Sequence, residues 1–364
     1  MNKIRYFYCV DFLSWIAALG ILIHHYTAHF LYGSLTLSSE VVSKYNIENS
    51  KIMTFIIDNA ILGSYGVWFF WMISGFIFSH MLLNQKISLY EFSIKRFSRL
   101  YPLHFVTLII ITILEFYSLF KFGNYQLESN LYDLYHFILN LFFISEWGLQ
   151  NGYSFNNVVW SVSIEIPVYF GFFILLYFIK KNHFLYILII MLLSKVILHS
   201  EFVNYHLKAC FFYFMFGSFI YFFCKKFNEY KMTLSLISII GLILVPLSFI
   251  FERSMIKTFE SYIPTTLLLF SSIICLAFCL ESKFGRSIKK INFLGNSSYA
   301  MYLLHIPIIV SIMILTDLGF IRDFIFSRPE FVIFFIFLVN ILSIICFKYF
   351  ENPMRKKLNF LMTK

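Results

Sequence analysis

Long apolar runs recur along the whole chain, and short polar stretches separate them. Ten of these runs hold about 17 to 25 residues, the length that an α-helix needs to cross a hydrocarbon core of about 30 Å. We predict ten membrane-spanning helices, over residues 8–30, 60–83, 99–120, 158–179, 184–200, 208–224, 232–250, 263–280, 298–316 and 330–350. The pattern therefore predicts an all-α fold, a polytopic helix bundle in a membrane.

One further apolar stretch is too short and too polar to be an eleventh span. It reads LYDLYHFILNLFFI, residues 131–144, and we predict an interfacial or re-entrant helix there. The composition also indicates a membrane protein, because 60% of the residues are hydrophobic, only 13% are charged and the mean hydropathy is +0.77. Soluble domains, in contrast, are about one-quarter charged.

Positive charges are distributed unevenly between the two sides of the predicted bundle. The net charge is +10, and with the N-terminus inside, 20 Lys and Arg residues fall on cytoplasmic segments and 8 on outer ones, while Lys195 lies within a helix. Lys and Arg concentrate in cytoplasmic loops of membrane proteins. We therefore predict that both termini and segments 84–98 and 281–297 are cytoplasmic, that loops 31–59 and 121–157 face outward, and that the basic charge needs no nucleic-acid partner.

The remaining features of the sequence favour a single membrane domain. Lys3 and Arg5 precede the first apolar run without a small-residue cleavage site after it, so we expect an uncleaved first helix. We expect one transmembrane domain over residues 1–364 and no separate soluble domain. The six cysteines contain no C-x-x-C pair, which argues against a disulfide framework and against a zinc site.

The first predicted helix carries ionisable side chains, each of which costs at least ~2.5 kcal/mol near the centre of a membrane helix. Asp11, Ser14 and His25 share one face, because eleven residues make almost three whole turns. We predict that the neighbouring His24 and His29 are interfacial histidines near the outer surface. A metal site formed by His25 and His29 at i, i+4 is an alternative, but the sequence offers no evident third ligand.

The fourth predicted helix carries a second group of polar residues. Ser161 and Glu165 lie on one stripe, and Pro167 follows them. Proline has no backbone N–H, so it frees the carbonyl of Ser163 and predicts a kink with a spare acceptor beside Glu165. At 1.5 Å per residue Glu165 lies about 12 Å inside its helix, close to the estimated level of His25, so the two side chains can meet. The alternative is a structural carboxylate held by an interhelical hydrogen bond.

Two further motifs place polar side chains near predicted helix starts. Ser298, Tyr302 and His305 align in the ninth helix, although Tyr and His near a helix start are also common membrane-interface anchors. Arg96 and Arg99, at i, i+3 where the third helix is predicted to begin, suit a bidentate phosphate ligand. Contact with the phosphates of lipid headgroups is the alternative for this pair.

Six segments, taken together and in their order, resemble the acyltransferase 3 family of polytopic membrane acyltransferases. The segments are VDFLSWIAALGILIHHY, GSYGVWFFWMISGFIFS, KRFSRLYPL, WSVSIEIPVYF, LGNSSYAMYLLHIPI and YFENPMRK. They extend over residues 10–356, so the resemblance covers nearly the whole chain. Any one of these motifs alone is weak, but six in the family's order are difficult to produce by chance.

The resemblance implies a reaction and its substrates. An acyl group, most often acetyl, would pass from cytoplasmic acyl-CoA to a hydroxyl of a cell-envelope carbohydrate or lipid-linked sugar. We expect a bacterial inner-membrane protein with acetyl-CoA as co-substrate, no permanently bound cofactor and no metal. His25 falls on the family's first-helix histidine, Glu165 on its motif glutamate, and Arg96 and Arg99 on its R-x-x-R pair.

These matches predict a candidate site and roles within it. We predict that His25 is the general base for the acceptor hydroxyl, because an imidazole titrates near pH 6.5, at about the pH of the cell. Glu165 would orient or charge-stabilise that ring, and a covalent acyl-histidine is the alternative mechanism. The predicted acyl-donor residues are Arg96, Arg99, Ser14 and Asp11, and the predicted pocket or acceptor residues are Ser74, Trp160, Ser161, Tyr299, Tyr302 and His305.

One position departs from the family pattern, because Ser14 stands where the family has an arginine. Either Lys3, Arg5, Arg96 and Arg99 supply the missing contact, or the donor is held differently, or activity is weakened. Two other functions stay open, a transporter or flippase of envelope glycolipid and a catalytically weakened relative that acts as a scaffold. Inverted repeats are typical of transporters, and we find no convincing repeat of WSVSIE or SYAMYLLH.

Overall fold

The computed structural model describes residues 6–32, 50–84, 87–127, 131–179, 181–198, 204–255 and 263–362. These residues form helices and contain no β-strand. In chain order the α-helices are α1 (Tyr8–Thr27), α2 (Lys51–Ser64), α3 (Gly66–Asn84), α4 (Leu89–Phe122), α5 (Leu134–Leu141), α6 (Val159–Phe178), α7 (His183–Leu198), α8 (Tyr205–Lys226), α9 (Lys231–Met255), α10 (Ile263–Lys290), α11 (Phe293–Asn296), α12 (Ser298–Asp317), α13 (Pro329–Cys346) and α14 (Asn352–Met362). Two π-helical turns, Ala28–Tyr32 and Phe347–Glu351, continue α1 and α13.

Nine helical segments within these ranges are long and apolar enough to cross a membrane. They coincide with nine of the ten predicted spans, so the predicted polytopic helical fold is confirmed. The span predicted over residues 184–200 coincides with α7, an apolar helix of 16 residues. At 1.5 Å per residue α7 is about 24 Å long, somewhat short of a hydrocarbon core of about 30 Å, and the end of the predicted span lies outside the described residues.

The structure corrects the predicted start of the third span. Helix α4 begins at Leu89 rather than near residue 99, because Ser88 and Glu91 form a capping box. The Ser88 hydroxyl accepts the Glu91 N–H at 3.1 Å, and the Glu91 carboxylate accepts the Ser88 N–H at 3.2 Å. Arg96 and Arg99 therefore lie well inside α4 and do not open it. Hydropathy locates the part of a helix that suits hydrocarbon, whereas a cap locates its first residue.

The structure also corrects the start of the second predicted span, residues 60–83. This run is divided between two helices, since α2 ends at Ser64 and α3 begins at Gly66. The remaining predicted spans agree with the helices to within a few residues, except that α10 continues to Lys290 and the last span continues through a π-helical turn into α14.

The short helix predicted within residues 131–144 is α5, and its eight residues, about 12 Å, are too few to cross a membrane. Asp133 caps it, because its carboxylate accepts the His136 backbone N–H at 2.9 Å and lies 2.8 Å from the His136 ring Nδ1. These hydrogen bonds hold the pKa of the Asp133 carboxyl below its ordinary value. The helix is therefore anchored at its start by an exposed carboxylate.

Contacts with α4 determine the direction of α5 along that helix, and the choice between an interfacial and a re-entrant helix stays a prediction. Tyr132, just before α5, lies within electrostatic range of Glu115, whereas Asn140, near the end of α5, accepts a hydrogen bond from the His104 ring at 2.8 Å. Glu115 and His104 are eleven residues apart in α4, which is about 16 Å along its axis. Helix α5 therefore runs back along α4 toward the middle of that helix.

The chain divides into two compact units, and each is assembled from three separate stretches. The first comprises Met1–Trp15, Val67–Lys86 and Val168–Gly295, and the second comprises Ile16–Gly66, Ile87–Pro167 and Asn296–Lys364. Neither unit is continuous in sequence, so the boundary between them is not a linker between two successive domains.

Glycines allow a close helix contact within the first unit. A Cβ at Gly75 in α3 would overlap the carbonyl of Phe214 in α8, and a Cβ at Gly217 in α8 would overlap the carbonyl of Met72 in α3. Because small residues allow two helix backbones to approach closely, these glycines permit a tight α3–α8 contact. A hydrogen bond of 2.7 Å between the hydroxyls of Ser79 and Ser218 joins the same two helices.

A buried carboxylate of the first unit holds the start of α1. Glu281 in α10, only 7% exposed, accepts the backbone N–H groups of Tyr8 at 3.1 Å and Cys9 at 2.8 Å. The first N–H groups of a helix have no intrahelical partner, and a negative charge there is favourable. Glu281 therefore fixes the end of the helix whose later residues enter the second unit.

Candidate active site

Most of the predicted site residues belong to the second unit. They are His25, Arg96, Arg99, Trp160, Ser161, Glu165, Tyr299, Tyr302 and His305. Asp11, Ser14 and Ser74 belong to the first unit. The second unit is thus the part of the molecule in which a candidate site can be described from contacts.

His25 and His305 form the central contact of this site. Nδ1 of His25 lies 2.8 Å from Nε2 of His305, 280 residues later in the chain. The other ring nitrogen of His305, Nδ1, lies 3.1 Å from the backbone carbonyl oxygen of Met301. His305 is 1% exposed, whereas His25 is partly exposed. The structure therefore joins two histidines that the sequence placed in separate motifs.

The other histidines of the first helix have different surroundings. The Nδ1–H of His24 donates to the carbonyl of Ala60 in α2 at 3.2 Å, so this ring ties two helices together. His29 lies in the π-helical turn after α1, with its ring centre 6.0 Å from that of His25. Over the described ranges, no group of three or more His, Cys, Asp or Glu side chains is arranged to hold a metal ion.

Tight glycine packing fixes the part of α1 that carries these histidines. A Cβ at Gly63 in α2 would overlap the carbonyl oxygen of Gly20 in α1 and would approach the Cβ of His24 to 2.9 Å. The helix backbones can come this close only because both positions lack a side chain. The α1–α2 contact therefore sets the rotation of α1 near His25.

Tyr302 and Ser161 join α12 to the start of α6. The Tyr302 hydroxyl donates to the carbonyl of Val158 at 2.8 Å and lies 2.7 Å from the Ser161 hydroxyl. Both side chains are buried. The Ser161 hydroxyl also lies 3.4 Å from the Val158 carbonyl, so both hydroxyls meet the same acceptor. These two predicted pocket residues thus join the start of α6 to α12, at a point one turn before His305.

Pro307 and Asn156 hold the His305 segment in a second way. A proline in a helix cannot donate to the carbonyl four residues earlier, which here belongs to Leu303. The fully buried Asn156 fills that place, because its side-chain N–H donates to the Leu303 carbonyl at 3.0 Å. The sequence signal for this contact is the proline itself, but the identity of the donor is not readable from it.

The same arrangement occurs at Pro167 and confirms the spare acceptor predicted beside Glu165. The Ser163 carbonyl, freed by Pro167, accepts the indole N–H of Trp147 at 3.0 Å. The Ser163 hydroxyl accepts the Glu146 backbone N–H at 3.2 Å. The segment before α6 is therefore fastened to α6 at the turn that carries Glu165.

Glu165 itself lies among tyrosines in the described contacts. It acts electrostatically on the hydroxyls of Tyr299 and Tyr302. The hydrogen bond of His25 goes to His305, so the partner that the structure gives this ring is a histidine. The orienting role for Glu165 stays a prediction. Trp160, the neighbouring pocket candidate, has its ring centre 6.4 Å from that of Tyr153.

The two arginines predicted to bind the donor have different environments. The guanidinium of Arg96 lies 5.6 Å from the centre of the Phe92 ring on its own helix. Arg99 acts electrostatically on the carboxylate of Glu351, as does Arg355, and Glu351 is 2% exposed. A buried carboxylate needs a compensating charge, so Arg99 contributes to the structure as well as to any ligand site.

Tyr299 connects this charged group to the histidine helix. Its hydroxyl donates to the backbone carbonyl of Leu100 in α4 at 2.7 Å, next to Arg99. The charges of Glu351, Arg99 and Glu165 all act on the same hydroxyl. Tyr299 therefore lies near both Arg99 and Glu165, within the second unit.

The remaining predicted residues lie in the first unit. Asp11 and Ser14 are both buried. Asp11 packs against the backbone of Gly295, where a Cβ would come within 2.9 Å of the carboxylate. The Ser74 hydroxyl lies 3.2 Å from that of Tyr169. Their roles in binding the donor or acceptor stay predictions.

Comparison with known proteins identifies relatives of this chain. The family model described as an acyltransferase domain matches residues 7–348. The O-acetyltransferases OatA of Staphylococcus aureus strains NCTC 8325 / PS 47, COL and MRSA252 are each 27% identical to it over 400 aligned residues. The match covers 98% of this chain but 58% of each relative, so the chain spans little more than half of their length. No solved structure matches this chain.

Proposed function

Because the chain belongs to the acyltransferase 3 family, we propose that it is a membrane O-acyltransferase that moves an acetyl group from acetyl-CoA to a hydroxyl of a cell-envelope carbohydrate. The observation that carries this proposal is the contact between His25 and His305, which joins two of the family's motifs at a partly exposed histidine. The OatA relatives are O-acetyltransferases, which supports the choice of an acetyl group and of an oxygen acceptor.

The proposed reaction needs one proton transfer and one exchange of bonds. His25 takes the proton of the acceptor hydroxyl, and the hydroxyl oxygen attacks the thioester carbonyl carbon of acetyl-CoA. The new C–O bond forms, the C–S bond breaks, and the CoA thiolate recovers the proton from the imidazolium. An acyl-histidine formed on the same ring would divide this exchange into two steps and yield the same products.

Arg96 and Arg99 are the proposed contacts for the phosphates of acyl-CoA. Two guanidiniums three residues apart on one helix suit a ligand that accepts several charge-assisted hydrogen bonds. The two arginines have different neighbours. Arg99 also compensates the charge of Glu351, whereas the guanidinium of Arg96 lies near the Phe92 ring. Arg99 variants therefore test donor affinity and the compensation of Glu351 together.

The excess of Lys and Arg on one side of the predicted helix bundle supports an orientation for the reaction. We propose a bacterial inner-membrane protein with cytoplasmic ends, a donor that enters from the cytoplasm and an acceptor that is reached from outside. Single cysteines introduced in segments 84–98 and 121–157 and labelled by an impermeant thiol reagent test this orientation. Labelling of segment 84–98 from outside would contradict both the orientation and the donor side.

A reconstituted assay tests the enzymatic proposal directly. The purified full chain in lipid vesicles is given radiolabelled acetyl-CoA and the envelope fraction of cells that lack this protein. We expect release of CoA thiol together with transfer of label to base-labile esters, a loss of roughly 10²- to 10⁴-fold in His25→Gln, and near-normal rates in His24→Gln. Full activity of His25→Gln would contradict the proposed base, and movement of glycolipid without CoA release would favour a transporter.

A further inference from the structure

We infer that His305 is a positioning residue that fixes the tautomer of His25, so that Nε2 of His25 is the nitrogen that takes the acceptor proton. This inference rests on the proposed acyl transfer and deepens it, because it names the reactive atom and the residue that prepares it. It depends on two hydrogen bonds in series, from His25 to His305 and from His305 to the Met301 carbonyl.

The Met301 carbonyl determines which ring nitrogen of His305 carries the hydrogen. A carbonyl oxygen can only accept, so the His305 Nδ1 that lies 3.1 Å from it carries the hydrogen. A neutral imidazole has one N–H and one bare nitrogen. Nε2 of His305 therefore presents a lone pair toward His25.

The second bond transfers this constraint to His25. Since Nε2 of His305 is an acceptor, the His25 Nδ1 at 2.8 Å carries the hydrogen between them. Two imidazoles joined edge to edge by such a bond have ring centres about 5 Å apart, and here the centres are 4.9 Å apart with planes inclined by 17°. Nε2 of His25, on the opposite side of the ring, is consequently left without a proton and able to accept one.

The surroundings favour this neutral arrangement over a charged one. His305 is 1% exposed, and both of its ring nitrogens are occupied by a carbonyl and an imidazole, neither of which is an anion. Burying an unpaired charge is costly. The other titratable rings near His25 are His24 and His29, and a positive charge on any one of these histidines opposes a positive charge on the others.

The same contact helps most when the reaction has begun. When His25 accepts a proton at Nε2 its ring becomes cationic, and the Nδ1–H bond to His305 becomes a charge-assisted hydrogen bond. An interaction that strengthens as charge develops lowers the barrier and does not merely tighten binding. Pro307, Asn156 and Tyr302 hold α12 in place around this ring, so the acceptor nitrogen is already positioned before the substrate arrives.

Two substitutions at position 305 separate this role from a packing role. His305→Gln keeps an acceptor, since the side-chain amide oxygen of Gln reaches about where Nε2 stood, whereas His305→Leu keeps volume without an acceptor. We expect His305→Leu to lower kcat by roughly 10- to 100-fold, the usual effect of removing a group that orients a histidine, with KM for acetyl-CoA unchanged. His305→Gln should recover most of that loss.

The assay uses full-length protein in vesicles, with kcat and KM taken from CoA release at varied acetyl-CoA and with thermal melting to match the folded amounts. His24→Gln is the control for loss of a neighbouring ring. Equal loss in His305→Gln and His305→Leu, or a change in KM alone, would overturn the inference. If His25→Gln is inactive while His305→Leu is fully active, only the inference fails, whereas an active His25→Gln overturns the proposed base as well.

Discussion

The hydrogen bond between Asn156 and the Leu303 carbonyl provides a quantitative test of how the histidine helix is held. Pro307 removes the N–H that would normally satisfy that carbonyl, and Asn156 supplies a replacement at 3.0 Å. Replacing Asn156 by leucine leaves the buried carbonyl without its donor, at a cost of about 1 to 3 kcal/mol. The same change also removes the Asn156 Oδ1 atom, which is buried and has no hydrogen-bond partner among the described residues.

These two effects have opposite signs, so the single variant does not isolate the bond. A double-mutant cycle does, because Pro307→Ala restores a backbone N–H that can donate to the Leu303 carbonyl within the helix. In that background Asn156→Leu should lose no hydrogen bond and should be neutral or stabilising. We expect a coupling free energy of about 1 to 2 kcal/mol, reduced from the upper figure because interhelical hydrogen bonds in membranes are modest.

The free energies of unfolding come from SDS titrations of the four purified proteins in mixed micelles, followed by intrinsic fluorescence. Pro246→Ala is the matched control, since Pro246 also lies inside a helix but in the other unit. Its coupling to Asn156→Leu should stay within about 0.5 kcal/mol. A coupling of the same small size between Asn156→Leu and Pro307→Ala would refute the assignment of Asn156 as the replacement donor.

Three further outcomes follow from single sites. Gly63→Ala should destabilise the protein by about 1 to 3 kcal/mol, because the added Cβ would overlap the facing carbonyl of α1. Gly171→Ala is the control, since its Cβ would meet nothing within 4 Å, and it should leave the free energy of unfolding unchanged in the same SDS titration. Arg96→Ala should raise KM for acetyl-CoA about tenfold, whereas Arg99→Ala should lower both donor affinity and stability, because it also removes the charge that compensates Glu351. The Asp133 cap should be present above the ordinary carboxyl pKa of about 4 and be lost as the pH falls through its lowered folded value. The protection of α5 amides from hydrogen exchange, taken relative to the intrinsic rate at each pH, should therefore fall on acidification, but not in Asp133→Asn.

Each of these three outcomes has a result that would contradict it. Equal stability of Gly63→Ala and Gly171→Ala would mean that α1 and α2 do not depend on close backbone contact. A melting temperature of Arg99→Ala equal to that of the unchanged protein would contradict the structural role of Arg99. An equal loss of protection on acidification in Asp133→Asn would assign the pH effect to a group other than the capping carboxylate.

Hydrophobic patterning identifies the spans well because crossing a membrane imposes a length and a composition on each helix. It locates the helix starts poorly where polar turns extend a helix beyond the apolar run. Helix α4 shows this, because a capping box at Ser88 begins it about ten residues before the predicted start. Helix α2 is a second example, because it begins at Lys51, about nine residues before the apolar run that was predicted to start at residue 60. That run is also divided, since α2 ends at Ser64 and α3 begins at Gly66.

The prolines predicted more of the hydrogen bonds around the site than the charged residues did. Pro167 and Pro307 each predict a free carbonyl from local chemistry alone, and both carbonyls are used. The donors Trp147 and Asn156 were not foreseeable, because they come from a segment whose path depends on the packing of α5 and α6. Glu351 was visible only as part of a motif, and its role beside Arg99 required the fold to bring the two together.

The sequence by itself determined that this is a polytopic helical membrane protein and that His25, Glu165, Arg96 and Arg99 occupy the motifs of an acyltransferase family. The partner of His25 was decided by the tertiary structure. Depth along a helix follows from counting residues, and it allowed Glu165 to lie level with His25. The rotation of each helix about its axis and the identity of its neighbours depend on contacts such as Gly20 with Gly63, and these contacts turned His25 toward His305, 280 residues away.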